Sequence, residues 1–212
     1  MDIRQVSNKK KYNIVSSIYD TVAFILSLGQ AKRLYKEVAA RLRVPAGATV
    51  VELGCGPGSV IPSLLHKIDP SSKIIGIDFS DQMIELANAN KSKNDWNNVH
   101  FQCMDMYEYS PDNKADCVIF CLALTAIPNY QKAIDQALSI LKTDGQLLVL
   151  DSIPIKGKWY YPLADFYTHL KALVVGAKPV AAIVEYIGNK TIIQEKHIMV
   201  GGVYTLLDAK KI

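Results

Sequence analysis

The sequence lacks long hydrophobic runs, metal-ligand spacings and closely spaced cysteine pairs. The apolar run from Val22 to Leu28 is too short to cross a bilayer, and the polar opening residues do not resemble a signal peptide. The four histidines are scattered and no cysteine belongs to a CxxC motif. We therefore expect no metal site, free core thiols rather than disulfides, and a cytoplasmic location.

The sequence also has little net charge. Twenty-four basic residues against 20 acidic ones leave a net charge of +4, and no basic face is interleaved with aromatic residues. Nucleic-acid binding is therefore not expected. Lysines cluster at 9–11 and 210–211, which is typical of solvated tails and adds the expectation of peripheral contact with an anionic membrane.

The 212 residues do contain enough apolar material for one core, since 50% are hydrophobic and 21% are charged. This composition excludes a disordered or collagen-like chain, and the length suits a single domain. Strand-like and helix-like stretches alternate from Thr49 onward, which predicts parallel strands joined by right-handed crossovers. The predicted parallel strands are residues 49–53, 73–77, 99–103, 116–121 and 146–150.

Two further strands, Thr191 to Met199 and Val203 to Asp208, flank Gly201-Gly202 and predict an antiparallel hairpin. Apolar periodicity predicts helices at residues 15–28, 31–42, 60–68, 130–141 and 159–170, and another helix after Ser80. The predicted fold class is α/β: a three-layer αβα Rossmann-like sheet of about seven strands, mostly parallel with a C-terminal antiparallel hairpin, preceded by N-terminal lid helices.

Three alternating glycines, Gly54, Gly56 and Gly58, lie where the first strand turns toward a helix. Glycine has no Cβ and accepts positive φ, so a ligand can approach this backbone closely, and helix N–H groups favour a carboxylate or phosphate. The spacing is GxGxG, whereas dinucleotide-binding proteins have GxGxxG. A nicotinamide-dependent oxidoreductase is therefore the weaker alternative.

Asp78 ends the second strand, and the carboxyl ends of neighbouring parallel strands open on one crevice. A carboxylate there can accept hydrogen bonds from two ribose hydroxyls, although a lone aspartate often only caps a helix. The glycine motif upstream favours ribose binding.

The stretch Glu52 to Gly58 resembles the first motif of class I S-adenosylmethionine-dependent methyltransferases. The resemblance implies S-adenosylmethionine as cofactor, S-adenosylhomocysteine as product, and a small-molecule substrate. It places Asp78 at the ribose, and Phe79, Met83, Asp105 and Met106 around the adenine. The residues expected to bind the cofactor are Tyr19, Glu52, Gly54, Cys55, Gly56, Gly58, Asp78, Phe79, Met83, Asp105, Met106 and Cys121.

Further strings, including Tyr19-Asp20, residues 33–36, residues 78–83 and residues 141–150, are similar to ubiquinone and menaquinone biosynthesis C-methyltransferases and to bacterial phospholipid N-methyltransferases. The resemblance weakens after Ile153. It implies methyl transfer to a small apolar or amphipathic acceptor, either a quinone precursor or a lipid headgroup. The alternative from another functional class is a protein that shares this fold and binds the cofactor but catalyses no reaction.

Within one domain spanning residues 1–212, this resemblance divides the chain into a helical lid segment (1–44), a cofactor-binding core (45–153), and a substrate-side helix with the terminal hairpin (154–212). Methyl transfer needs no protein nucleophile, and a general base is required only if the acceptor must lose a proton. Tyr19 and Asp151 are the predicted catalytic residues for that task. The aromatic stretch beginning at Trp159 either roofs an apolar pocket or faces the core.

Overall fold

A seven-stranded sheet forms the centre of the protein in the computed structural model, which describes residues 29–155, 157, 159–175 and 181–212, with the backbone alone for 170–175. The strand order is β3-β2-β1-β4-β5-β7-β6. The strands are β1 Thr49–Leu53, β2 Lys73–Asp78, β3 Val99–Cys103, β4 Ala115–Cys121, β5 Leu141–Asp151, β6 Thr191–Met199 and β7 Tyr204–Lys211.

Strands β1 to β5 pair in parallel, while β7 runs antiparallel to both β5 and β6. The predicted parallel sheet with a terminal hairpin is thereby confirmed. The predicted helix at 15–28 and Tyr19 lie outside the described residues, and the division of the chain into three functional segments stays a prediction.

Six helices flank the sheet in the described ranges. They are α1 Ala31–Ala40, α2 Ile61–Leu65, α3 Asp81–Lys93, α4 Tyr130–Ile140, α5 Tyr161–Val175 and α6 Ala182–Gly188. Two helices begin at side-chain caps: Ser80 Oγ accepts a hydrogen bond from the Met83 N–H, and Asn129 Oδ1 accepts one from the Lys132 N–H.

Successive residues of the central strands belong to two separate apolar cores, one on each face of the sheet. In β1, Val50 packs in the core that α1 and α2 cover, whereas Val51 and Leu53 pack in the core that α4 and α6 cover. The strand β4 alternates in the same way, with Ile119 on the first face and Phe120 on the second. These two cores confirm the three-layer arrangement.

Several elements differ from the prediction. Helix α2 is shorter than predicted: it ends at Leu65, and the chain continues to Ile68 as a turn in which the Leu64 carbonyl accepts hydrogen bonds from the Lys67 and Ile68 amides. Strand β5 begins earlier, because Leu141 pairs with Ala115 before a register shift. Helix α6 was not predicted.

The aromatic stretch before and within α5 also differs from the prediction. Trp159 and Phe166 are exposed, so neither roofs a pocket nor faces the core, whereas Tyr160 and Tyr167 pack against the core. In the described parts of the chain, no helix combines the length and apolar character that a membrane span requires.

Candidate functional site

A cleft opens at the carboxyl edge of the sheet, beside the ends of β1, β2 and β4. This is the edge at which parallel α/β sheets bind ligands. The residues that line it are Gly54, Gly56, Ile77, Asp78, Phe79, Met83, Met104, Asp105, Met106, Leu122, Ala123, Ala126, Ile127 and Pro128. Seven of the predicted cofactor-binding residues therefore meet around one space.

The glycine loop brings bare backbone against the opposite wall of the cleft. The Gly54 and Cys55 amides donate hydrogen bonds to the Ile77 carbonyl at 2.8 and 3.1 Å, which fixes the exit of β1 beside β2. Gly54 has a φ of +74°, and a Cβ at this position would lie 2.7 Å from the Ala123 Cβ. Only glycine fits there, because any side chain would collide with the wall after β4.

The Asp78 carboxylate joins the glycine loop to the start of α3. Its Oδ2 accepts a hydrogen bond from the Gly56 amide at 2.9 Å, and its Oδ1 accepts one from the Ser80 amide at 2.9 Å. These two bonds fix the orientation of the carboxylate. Asp78 is only 8% exposed to solvent, and it borders the cleft.

Apolar side chains form the side of the cleft beyond Asp78. Phe79, Met83, Met104 and Ile127 line it, and Met83 is fully buried. The Met106 carbonyl at this wall accepts a hydrogen bond from Gln136 Nε2 at 2.9 Å, which ties the wall to α4. An apolar slot with a few fixed polar groups suits a flat aromatic ligand group.

Asp105 supplies a carboxylate at the same wall. Its Oδ1 accepts a hydrogen bond from the Tyr107 amide at 3.1 Å, and the residue is partly exposed to the cleft. One oxygen is thus used to hold the turn after β3. Asp105 and Met106 thus both line the cleft, and their role at an adenine ring stays a prediction.

Glu52 is buried behind the residues that line the cleft. The charged group near it is the Asp78 carboxylate, which cannot neutralise a second carboxylate. Burial, and then the nearby charge of Asp78, raise the pKa of its carboxyl well above the usual value. Its Oε2 atom has no hydrogen-bond partner within the described structure. An unpartnered buried acceptor beside a cleft is a costly arrangement that a cationic ligand group, such as an ammonium, would relieve.

Four predicted cofactor-binding residues do not form the cleft wall among the described residues: Glu52, Cys55, Gly58 and Cys121. Burial raises the pKa values of the Cys55 and Cys121 thiols well above normal, so both remain neutral. Gly58 instead packs on the Phe101 ring, where a Cβ would lie 3.0 Å from Cζ. The cofactor roles of these four residues stay predictions.

Asp151 is held by the turn that walls the cleft. Its Oδ2 accepts a hydrogen bond from the Thr125 amide at 2.9 Å, and its Oδ1 accepts bonds from Thr125 Oγ1 and the Ser152 amide, both at 2.7 Å. These three bonds hold the carboxylate in one orientation. These contacts favour a positioning role, and the predicted general base stays untested.

The residues that the sequence did not single out come mostly from the segment after β4. Ala126, Ile127 and Pro128 line the cleft through a 3₁₀ turn at Leu124–Ala126. Their only sequence signal is their place after a strand that neighbours β1. Leu122 begins this segment with a φ of +59°, an unusual conformation for a branched residue and one that clusters at functional sites.

All four cysteines are free, as predicted, with Cys103 exposed and the other three buried. Across the described ranges, no group of three or more His, Cys, Asp or Glu side chains is arranged to hold a metal ion.

Comparison with known proteins identifies the family of this chain. The sequence pattern of a family described as a methyltransferase domain matches residues 45–176, which is more than half of the chain. A demethylmenaquinone methyltransferase of Oceanobacillus iheyensis is 28% identical over 142 residues, 65% of this chain and 58% of the relative. A ubiquinone/menaquinone biosynthesis C-methyltransferase of Desulfotalea psychrophila is 26% identical over 160 residues, 75% of this chain and 63% of the relative. The chain thus spans about three fifths of the length of these relatives.

Solved structures share the fold at low identity. The N-methyltransferase NodS of Bradyrhizobium japonicum WM9, in complex with S-adenosylhomocysteine, has a TM-score of 0.65 and 13% identity, with 88% of this chain and 87% of that chain covered. An O-methyltransferase family protein of Burkholderia thailandensis has a TM-score of 0.69 and 20% identity, with 92% and 59% covered.

The order of the strands, the cleft at their carboxyl edge and the match over residues 45–176 agree with one another. The chain belongs to the methyltransferase-domain family, and its predicted resemblance to the class I S-adenosylmethionine-dependent methyltransferases is confirmed.

Proposed function

We propose that this chain transfers a methyl group from S-adenosylmethionine to a small apolar or amphipathic acceptor, in the class that includes quinone precursors and lipid headgroups. The observation that carries the proposal is the junction of Gly56 with Asp78 beside an apolar slot. This junction combines bare backbone, a fixed carboxylate and an aromatic-binding wall in one cleft.

The residues present fit S-adenosylmethionine part by part. The space beside Gly54 and Gly56 suits the amino-acid tail, and the buried Glu52 oxygen without a partner suits its ammonium. Asp78 borders the cleft with a carboxylate, a group that accepts hydrogen bonds from ribose hydroxyls. Phe79, Met83 and the chain around Met106 suit an adenine ring.

The bound cofactor supplies a methyl group on a sulfonium, whose thioether is a good leaving group, so the transfer requires no nucleophile from the protein. The chain contributes orientation and the exclusion of water. Fixing two reactants in near-attack geometry lowers a barrier by up to roughly 7–11 kcal/mol in favourable cases. The rigid wall held by Asp151 and Thr125 is suited to this task because its hydrogen bonds are buried.

The acceptor class rests on the relatives and on the character of the cleft. Both curated relatives are named as methyltransferases of menaquinone or ubiquinone synthesis. The wall formed by Leu122, Ala126, Ile127 and Pro128 is apolar, which suits an acceptor with an apolar ring or tail.

Titration calorimetry with S-adenosylhomocysteine tests the cofactor, with NAD as the competing ligand. We expect the adenosyl ligand to bind and NAD not to displace it. Failure of the folded chain to bind the adenosyl ligand would refute the proposal. Incubation with radiolabelled methyl donor and extracted quinones or phospholipids then tests the acceptor, and binding without any labelled product would identify a non-catalytic fold-mate.

A further inference from the structure

Three large apolar side chains near the start of α5 are exposed to solvent. Trp159 is 92% exposed, Leu163 75% and Phe166 67%, whereas elsewhere in the described structure the large exposed hydrophobic residues are Ile192 and Ile212 alone. The three lie within eight sequence positions of one another. We call Trp159, Leu163 and Phe166 the aromatic face.

The aromatic face is built on a fixed support. Leu163 and Phe166 are three residues apart and share one side of α5, while Ala164 and Thr168 are buried on the other. The Trp159 ring contacts the Tyr160 ring edge to face, with centroids 5.8 Å apart. Tyr160 in turn packs directly on Gly202, where any Cβ would overlap its ring. The exposed indole therefore projects from an anchored turn.

This face lies beyond the same edge of the sheet as the cleft. Strand β5 ends at Asp151, and α5 begins ten residues later at Tyr161. The Tyr160 ring contacts the turn that leads into β7, and Thr205 of β7 pairs with Asp151. A surface that received the aromatic face would consequently approach the edge where the cleft opens.

The surrounding sequence is cationic. Residues 154–180 contain four lysines and one aspartate, with no arginine or glutamate, and so supply three of the four net positive charges of the chain. The lysines are Lys156, Lys158, Lys171 and Lys178. In the sequence, these lysines flank the exposed aromatic and aliphatic residues, and such a composition is complementary to an anionic lipid surface, where tryptophan rings favour the headgroup boundary.

We propose that the aromatic face docks this protein on an anionic phospholipid bilayer, with Trp159, Leu163 and Phe166 entering the headgroup boundary. A stable dimer interface buries about 800 Å² per partner, which three side chains do not provide. The net positive charge of residues 154–180 also disfavours a second copy of the chain, because both copies would carry it. The proposal goes beyond the methyl-transfer function and does not depend on it.

Sedimentation with phospholipid vesicles tests the docking. The variants are a triple substitution, Trp159→Ser with Leu163→Ser and Phe166→Ser, and the control Ile192→Ser, which removes another exposed hydrophobic residue. We expect the unmodified chain and the control to bind phosphatidylglycerol-containing vesicles about tenfold more tightly than the triple variant. Equal binding by the triple variant, or equal binding to pure phosphatidylcholine vesicles, would overturn the proposal.

Fluorescence gives a second measurement, since the chain has two tryptophans and Trp96 is buried. In a Trp96→Phe variant, vesicle binding should shift the Trp159 emission to the blue, and lipids brominated near the headgroup should quench it. Emission that stays unquenched in the vesicle-bound protein would overturn the proposal. Light scattering that shows a dimer of the unmodified chain and a monomer of the triple variant would also overturn the proposal.

The affinity of the triple variant for S-adenosylhomocysteine in the absence of vesicles separates the two proposals. We expect it to equal that of the unmodified chain, because the aromatic face does not line the cleft. A chain that binds vesicles but no adenosyl ligand would refute the proposed methyl transfer and leave the docking intact.

Discussion

The Gly56 amide donates a hydrogen bond to the Asp78 carboxylate across 2.9 Å, and this bond joins two sequence motifs that lie 22 residues apart. The second oxygen of the same carboxylate holds the Ser80 amide at the start of α3. Asp78 thus sets the position of the glycine loop and borders the cleft with one side chain. Its replacement should therefore affect both the glycine loop and the affinity for a ligand in the cleft.

Replacement of Asp78 by asparagine should weaken binding of S-adenosylhomocysteine by about 1–3 kcal/mol, because a charged hydrogen-bond acceptor is lost in a buried position. Titration calorimetry measures the change. Asp81→Asn is the matched control, since Asp81 is exposed and outside the cleft lining. Unchanged affinity in the Asp78→Asn protein would remove this residue from the site.

Replacement of Gly54 by alanine should abolish ligand binding and destabilise the fold. The matched control is Gly201→Ala, because Gly201 also has positive φ, +61°, but a Cβ there meets no atom within 4 Å. Left-handed backbone alone costs an alanine roughly 1–2 kcal/mol, and only Gly54→Ala adds the collision with Ala123. Urea denaturation should show the larger loss for Gly54→Ala, and equal losses would contradict the close approach.

Replacement of Thr125 by alanine should lower the unfolding free energy by about 1–3 kcal/mol, because a buried Asp151 oxygen loses its hydroxyl donor. Thr125→Ser keeps the hydroxyl and should restore most of the loss. If Thr125 positions the cleft wall, the alanine variant should also lower kcat for methyl transfer more than it raises KM for the donor. A serine variant as impaired as the alanine variant would argue against the hydrogen bond as the cause.

The raised pKa of the Glu52 carboxyl predicts how stability depends on pH. The folded protein holds this proton more tightly than the unfolded chain, whose glutamates have a pKa of about 4.3. The contribution is complete below that value and is lost as the pH rises toward the raised pKa of the folded state. Glu52→Gln has no proton to release, so its unfolding free energy should fall less between about pH 5 and pH 8. Parallel curves for the two proteins would contradict this assignment.

The cysteines should differ sharply in reactivity. Burial raises the pKa values of the Cys55, Cys117 and Cys121 thiols well above normal, whereas Cys103 is exposed. A thiol reagent should therefore modify one cysteine in the folded protein and four in denaturant. Fast modification of a second cysteine without denaturant would show that the glycine loop or strand β4 opens readily.

The sequence alone determined those features of this protein that depend on residues close together in the chain. The period-two apolar strands, the turn residues between them and the three glycines after β1 specify the parallel sheet and its carboxyl edge, because each depends on neighbours along the chain. The glycine motif and the strand end predicted that Gly54, Gly56 and Asp78 border one crevice, the resemblance to methyltransferases added Phe79 and Met83, and the structure brings all five to one cleft.

The tertiary structure decided which side chains pair and which remain outside. Asp151 binds Thr125, which is 26 residues away, and the apolar wall after β4 belongs to the cleft only because β4 lies beside β1. Likewise, Trp159 and Phe166 fit a core-facing pattern in the sequence but face solvent in the fold. Periodicity records which residues share a face of a helix, whereas the direction of that face depends on contacts with residues distant in the chain.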